Sequence, residues 1–420
     1  MALFYCFEHS TPETEDKSIS IDSITVDQCN GKHPWEREKR QLGLNPNNDY
    51  KVGYYIGCDW LIEGEHAIAV EPKMGNLDYW KIFSACFNSP ITSEKISSIY
   101  QIDFTRQPIN MGQTTHDITP LIVFHFLLLV KNIANKGLKR DYSNVEENLQ
   151  SKIKGKMLFS LHVKKNFLSG HRERNFCRYG EYSTDCMENR VLKKALCFVK
   201  AYMTATMGKM DKALGTFNFC FSAFEAVSAN IETWQIKQVK TSAFHKEYTE
   251  AIRVAKIILQ RFGYDINRTR MDNHQKVPPY YIDMPLLFEC YIYTKLIEKY
   301  GSTIYYHPSS AQRSADFGKG KDGVSPADEE KVIIDAKYKL RYNEKNEIDD
   351  IRQISGYART VGIRKKVGVG DDGYVVDCLI IYPDRDGIEN FTEDKILDHA
   401  QKLNNYIKFH KIGIKLPVHC

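Results

Sequence analysis

The sequence predicts an α+β multidomain protein: a β-rich N-terminal module, a helical middle region, and a C-terminal α/β core in which a mixed sheet is flanked by helices. Three observations carry this expectation. At 420 residues the chain is too long for one ordinary domain and long enough for two or three separate cores. The period of its apolar residues changes along the chain, from short strand-like runs to long helical stretches and then to both in alternation. A polar stretch, 267–279, ends in Pro278-Pro279, and paired prolines push their neighbours out of helical geometry. These changes divide the chain into residues 1–143, 144–277 and 278–420.

In the first part, residues 3–7, 21–26, 52–56 and 67–70 read as strands, with Gly64 at a turn between the last two. Longer apolar-periodic stretches follow over 80–136. Their apolar peak, 121–130, is broken by His125 and is about half the ~20 residues that a membrane span needs. It reads as a buried helix with Thr119 as N-cap, Pro120 at the first helical position and Gly137 as its stop. Residues 144–262 read as predominantly helical, with clear helices at 189–202 and 248–261. After the prolines the order is helix 285–300, strand 303–306, a Gly/Lys/Asp/Ser-rich loop 318–330, strand 331–340, helix 350–361 and strand 374–382.

Composition excludes several classes. With 26% charged and 42% hydrophobic residues the chain is neither disordered nor fibrous. A net charge of +5 permits contact with nucleic acid but falls short of a coating protein. Eleven cysteines without any C-x-x-C pair fit reduced thiols, so a bound metal is expected on oxygen ligands. The first residues lack a basic region followed by an apolar core, so a cytoplasmic protein without membrane contact is expected. No G-x-x-x-x-G-K-[ST] motif is present, so the chain is not expected to bind nucleotide.

The chemistry centres on Asp335 and Lys337, two apart on the strand 331–340 and therefore on one face. A carboxylate can hold a hard divalent cation. A neighbouring lysine can orient water and stabilise charge on a phosphate, which together serve phosphodiester hydrolysis. A second carboxylate is expected from upstream, best from Asp316, with Glu289 on the preceding helix as a third. Glu289 fits equally a surface carboxylate near the helix start. Gln353 and Tyr357 are spaced i, i+4 and share a helix face, where they can meet Lys337, a ligand carboxylate or the substrate backbone, or pack on the sheet. Lys339 and the run Arg364, Lys365, Lys366 are the candidate phosphate contacts for DNA. In Glu188-Asn189-Arg190 an Arg–carboxylate pair holding two helices together is favoured over catalysis.

The ordered set Glu289, Asp316, Asp335, Lys337 and Gln353-x-x-x-Tyr357 resembles the PD-(D/E)XK nuclease superfamily, the last pair its RecB-like branch. More of the chain resembles one member family, McrC, the nuclease subunit of McrBC-type modification-dependent restriction systems. The blocks are Gly53-Tyr54 with Glu71-Pro72-Lys73, Gly137-Leu138-Lys139-Arg140-Asp141-Tyr142, Lys154-Gly155-Lys156, Glu181-Tyr182-Ser183-Thr184-Asp185 with Glu188-Asn189-Arg190-Val191-Leu192-Lys193, Phe288-Glu289, and Ile334-Asp335-Ala336-Lys337-Tyr338-Lys339. The resemblance implies a restriction-endonuclease-like C-terminal core that cleaves DNA. It implies Mg²⁺, with Mn²⁺ as a substitute, held by Asp316 and Asp335 with Glu289 as the further acid, and Lys337 serving the attacking water. It also implies an N-terminal region docked on an McrB-like AAA+ GTPase hexamer. Two features depart from the family pattern: Ala315 stands where a proline is usual, and the loop 318–330 is long, so Asp322 and Asp328 stay open as alternatives to Asp316. A stand-alone RecB-like nuclease and a catalytically degenerate adaptor of an AAA+ GTPase are the competing functions.

Overall fold

The structure, a computed structural model, describes residues 2–14, 19–23, 36–75, 77–87, 98–111, 119–206, 211–239, 246–265, 276–306, 316–320, 330–339, 344–370 and 373–418. It is α+β, with several sheets, and its contacts group the chain into two compact units. One joins Met1–Thr115 to His274–Cys420; the other is His116–Asn273.

The first unit begins with β1 (Ala2–Phe7), β2 (Glu13–Thr14), β3 (Tyr55–Ile62), β4 (His66–Glu71), α1 (Tyr79–Phe87), β5 (Tyr100–Ile102) and β6 (Ile109–Asn110). β3 and β4 form an antiparallel hairpin, and Gly64 takes the left-handed φ of +81° that its turn requires. β1 lies parallel to β4, and Phe4, Leu61, Ile68 and Val70 close an apolar cluster with Leu42 and Val52. The strand expected over 21–26 is instead a short 3₁₀ turn, Ile21–Ser23; residues 24–26 lie outside the described residues. The Ser20 hydroxyl accepts the Asp22 N–H at 3.4 Å, a local bond that competes with strand pairing.

The second unit opens with α2 (Thr119–Lys136), followed by Gly137 at φ +91°. Next come β7 (Asp141–Gln150), β8 (Lys156–Met157), a short helical stretch from Phe159–His162 into Val163–Phe167, and β9 (Arg174–Ser183). Four helices follow: α3 (Met187–Thr206), α4 (Asp211–Ala223), α5 (Thr233–Gln238) and α6 (Lys246–Asp265). α6 packs on both α2 and α3, burying Val191, Leu196, Val199, Ala251, Val254 and Ile258. The middle region carries the expected helices over most of its length and also a three-stranded sheet that was not expected, in which β7 and β9 pair over ten residues each and β8 adds to β9. The sequence Asp-Tyr-Ser-Asn-Val-Glu-Glu-Asn-Leu-Gln of β7 buries neither face, so no apolar alternation marks it. Its pairing rests on the backbone ladder and on cross-strand pairs such as Glu146 with Arg178 and Glu147 with Tyr179. Among the described residues no helix is long and apolar enough to cross a membrane.

The chain then returns to the first unit through β10 (Lys276–Val277), which pairs with β6, and β11 (Tyr280–Asp283). β11 inserts between β3 and β5, giving the sheet order β2-β1-β4-β3-β11-β5. The segment after the paired prolines thus starts as a strand of the first sheet. α7 (Met284–Tyr300) follows at once, capped by Asp283, whose carboxylate accepts the Leu286 N–H at 3.1 Å, with Pro285 in its first turn.

β12 (Ile304–Tyr306), β13 (Phe317–Lys319), β14 (Val332–Ala336), α8 (Glu344–Ala358), α9 (Val361–Lys366), β15 (Asp377–Ile388), β16 (Gln401–Lys402) and β17 (Phe409–Ile414) complete the unit. They form a mixed sheet ordered β12-β13-β14-β15-β17-β16. β14 runs parallel to β15 and β15 to β17; the other pairs are antiparallel. Val332, Ile333 and Ile334 are wholly buried, as expected of a central strand. One face is covered by α8 and α9 through Ile351, Ile354 and Ile363. The expected strand 331–340 ends early, at Ala336, because Lys339 N–H turns back to the Lys337 carbonyl at 2.9 Å.

Candidate active site

The register between β13 and β14 builds the site. Phe317 lies opposite Ile334, and one step on in an antiparallel pair places Asp316 beside Asp335. The contact is direct: Asp316 Oδ2 accepts the Ala336 N–H at 2.7 Å. Asp335 is 1% exposed, enclosed by the apolar body of β14 and β15. Lys337 lies just past the strand end, its own N–H still held by the Ile381 carbonyl at 2.8 Å. Its Nζ comes 2.8 Å from Asp335 Oδ2. That oxygen is buried, and the Lys337 ammonium is the positive charge that faces it.

Two further elements reach the same place. On α8, Gln353 Oε1 accepts from Lys337 Nζ at 3.0 Å, and Gln353 Nε2 donates to the Tyr357 hydroxyl at 2.6 Å. The i, i+4 spacing thus becomes a relay ending on the ammonium. On α7, Glu289 Oε1 accepts the Tyr306 hydroxyl from β12 at 2.6 Å.

Electrostatics follow from this crowding. Burial, then the charges of Asp335 and Glu289, push the Asp316 carboxyl well above the usual carboxylate range. Asp335 is also raised, mainly by burial, against the pull of Lys337. Burial works to lower Lys337, but the charge and hydrogen bonding of Asp335 outweigh it, so the net direction is upward. Lys337 is therefore an ammonium near neutral pH.

The structure brings Glu289, Asp316, Asp335, Lys337, Gln353 and Tyr357 into one connected group. The alternatives Asp322 and Asp328, and Ala315, lie outside the described residues. Of the candidate phosphate contacts, Lys339 is tied to Asp350 at 2.8 and 2.9 Å. The Arg364 guanidinium donates to the carbonyls of Gly370 and Tyr374 and closes the end of α9. Both cations are held in place by the protein, whereas Lys365 and Lys366 are exposed. Glu188-Asn189-Arg190 belongs to the second unit, where Arg190 pairs with Asp185 at 2.6 Å and Asn189 bridges Lys139, Thr184 and Tyr248.

Three residues of the group's surroundings carried no signal in the sequence: Tyr306, which holds Glu289; Asp350, which holds Lys339; and Glu8. Glu8 is wholly buried and accepts the Tyr338 hydroxyl at 3.1 Å across 330 residues of chain.

Among the described residues no three His, Cys, Asp or Glu side chains form a ready metal cage. The donors on offer are two adjacent carboxylates, and Mg²⁺ is commonly held by one or two carboxylates while water fills the rest. Adjacent acids whose mutual charge raises Asp316 fit a hard cation, which would offset that repulsion.

A family model described as "McrBC 5-methylcytosine restriction system component" matches residues 51–369. No curated protein matches the chain. Two solved structures from Thermococcus gammatolerans are similar. One is a refined half-complex from a tetradecameric assembly of McrB AAA+ hexamers with bound McrC; it is 14% identical, covers 98% of this chain and 94% of that chain, and has a TM-score of 0.37. The other, a cryo-EM structure of the McrBC complex, is 13% identical, covers 71% and 88%, and has a TM-score of 0.30. With three quarters of its length matched by the family model, the chain belongs to the McrBC 5-methylcytosine restriction system component family.

Proposed function

We propose that this chain is an McrC-type, Mg²⁺-dependent DNA endonuclease subunit that works with an McrB-like AAA+ GTPase hexamer and stimulates its GTPase. The observation that carries the nuclease reading is the pairing of Asp316 with Asp335 beneath Lys337. The mixed sheet around β14, with Glu289 of α7 acting on Asp316 and Gln353 of α8 held by Lys337, supports a PD-(D/E)XK core. The family membership supports the partner. In this reading residues 1–143 dock on the GTPase, 144–277 transmit the contact, and 278–420 carry the chemistry.

Asp316 and Asp335 would hold the cation, with Glu289 as a further acid. When bound, Mg²⁺ supplies positive charge that offsets charge growing on the phosphate and makes water a better nucleophile. Mn²⁺ would substitute. Lys337 keeps its proton near neutral pH, so its Nζ serves as a hydrogen-bond donor to water or to a phosphate oxygen. Gln353, braced by Tyr357, fixes the direction of that ammonium. Exposed Lys365 and Lys366 are placed to meet backbone phosphates.

The test is reconstitution with the partner GTPase, GTP, Mg²⁺ and DNA. Asp335→Ala should abolish cleavage and leave GTPase stimulation intact; cleavage that survives the change removes the site assignment. A stand-alone RecB-like nuclease is favoured by the Gln353–Tyr357 relay. It predicts efficient degradation of linear DNA by the purified chain and Mg²⁺ alone.

A further inference from the structure

Several blocks that set this sequence apart meet at one buried point away from the acids. Glu8, the residue after β1, is wholly buried. Its Oε2 accepts the Tyr338 hydroxyl at 3.1 Å and faces the Lys73 N–H at 3.3 Å. Tyr54 stands edge-on to the Tyr338 ring, with centroids 6.5 Å apart, and stacks on His9 at 5.1 Å. Phe288, next to Glu289 on α7, meets Tyr338 at 5.9 Å. Residues from Gly53-Tyr54, Glu71-Pro72-Lys73, Phe288-Glu289 and the catalytic segment therefore share one contact.

Tyr338 directly follows Lys337 in the turn 337–339. That turn is pinned on one side by Lys339 on Asp350 of α8 and on the other by Tyr338 on Glu8, just past β1. We infer that Glu8 and Tyr338 form a positioning pair through which the first sheet holds the turn bearing Lys337, and so sets the reach of its ammonium toward Asp335. The inference deepens the nuclease reading and rests on it. Neither residue touches the reacting atoms. Burial raises the Glu8 carboxyl to about 7, so this acid is kept in the interior at a cost that its hydrogen bond to Tyr338 helps to offset.

The test labels lysines with an acylating reagent in the full-length, metal-free chain and measures each site by mass spectrometry. Lys319, held by Glu330 at 2.5 Å in the same sheet, is the internal control. Tyr338→Phe, which keeps the ring, should raise the labelling of Lys337 several-fold and leave Lys319 unchanged. Glu8→Gln, whose amide oxygen still accepts the hydroxyl, should behave as wild type, whereas Glu8→Ala should follow Tyr338→Phe. With partner, GTP and Mg²⁺, Tyr338→Phe should lower kcat about tenfold with KM for DNA unchanged, the scale of a displaced catalytic group. Unaltered Lys337 labelling in Tyr338→Phe overturns the inference, as does an equal rise at Lys319, which would mean general loosening. A wild-type chain that cuts nothing defeats the nuclease reading instead, and the labelling result still decides the positioning pair.

Discussion

Exchange of Asp335 for asparagine keeps the shape of the side chain and removes one charge from a place that water scarcely reaches. The wild-type carboxyl is raised by its burial, so the ionised form is held at a cost that asparagine does not bear. In EDTA the variant should therefore be at least as stable as wild type, since Lys337 retains Gln353 at 3.0 Å. Metal reverses the order. Mg²⁺ at ten times its dissociation constant stabilises a one-site protein by about 1.4 kcal/mol. For a unit of this size that is a rise of about 3–5 °C in Tm. Wild type should show this rise and Asp335→Asn should not. Cleavage should fall about a thousandfold, the loss of roughly 4 kcal/mol of transition-state stabilisation. Thermal unfolding with and without Mg²⁺, beside a cleavage assay with the partner GTPase, reads both effects. A variant that keeps the Mg²⁺-induced rise would show that the cation is held elsewhere, and the roles given to Asp316 and Asp335 would fall together.

Lys337→Met should lower cleavage about a hundredfold or more while leaving the Mg²⁺-induced rise in Tm intact, because it removes a donor and no metal ligand. Glu8 gives a pH dependence of known sign. Its carboxyl is raised from 4.5 to about 7 in the folded state, so its contribution to stability is full below pH 4.5 and is lost as pH climbs through 7. That loss amounts to about 3 kcal/mol at most. Denaturant unfolding between pH 4.5 and 8 should show a gentler decline for Glu8→Gln than for wild type, and parallel curves would remove Glu8 as the source. In the second unit, Asn189→Ala removes bonds to the Lys139 and Thr184 carbonyls at 2.9 and 2.7 Å and to the Tyr248 hydroxyl at 2.9 Å. A loss of about 3 kcal/mol is expected, with the Mg²⁺ response unchanged. A Tm equal to wild type would show that the bridge contributes nothing.

The helix from Thr119 to Lys136 was legible because proline stands in its first turn, its apolar stretch is dense, and glycine follows it. β14 announced itself by a run of β-branched residues, and the β3–β4 hairpin by Gly64. The β7–β9 pair gave no such signal, since strands that bury neither face owe nothing to apolar alternation. β11 was hidden for another reason. Its place between β3 and β5 is a property of edges that become available only when distant parts meet. The candidate site divides in the same way. The order of Glu289, Asp316, Asp335, Lys337 and Gln353 along the chain is sequence information, and helix period put Gln353 beside Tyr357. That Asp316 lies next to Asp335 is a matter of register across a segment whose length says little about where its ends meet. Lys339 and Arg364 show the converse. Charge and position suggested phosphate contacts, whereas their bonds to Asp350 and to the carbonyls beyond α9 depend on partners that only the fold brings near.

The insertion of β11 into the first sheet has a consequence for how the protein is made. Cys58 on β3 reaches the Pro278 carbonyl that leads into β11, across 220 residues of chain. At ~5–20 residues per second, a ribosome needs about ten to forty seconds to cover that distance. Throughout that interval β3 offers an unpaired, largely apolar edge, the geometry that invites association between nascent chains. The intervening segment, which forms its own compact unit, can fold meanwhile, so maturation would proceed from the middle outward. The proposed nuclease would come last, assembled only when the returning strand closes the sheet whose first strand leads into Glu8.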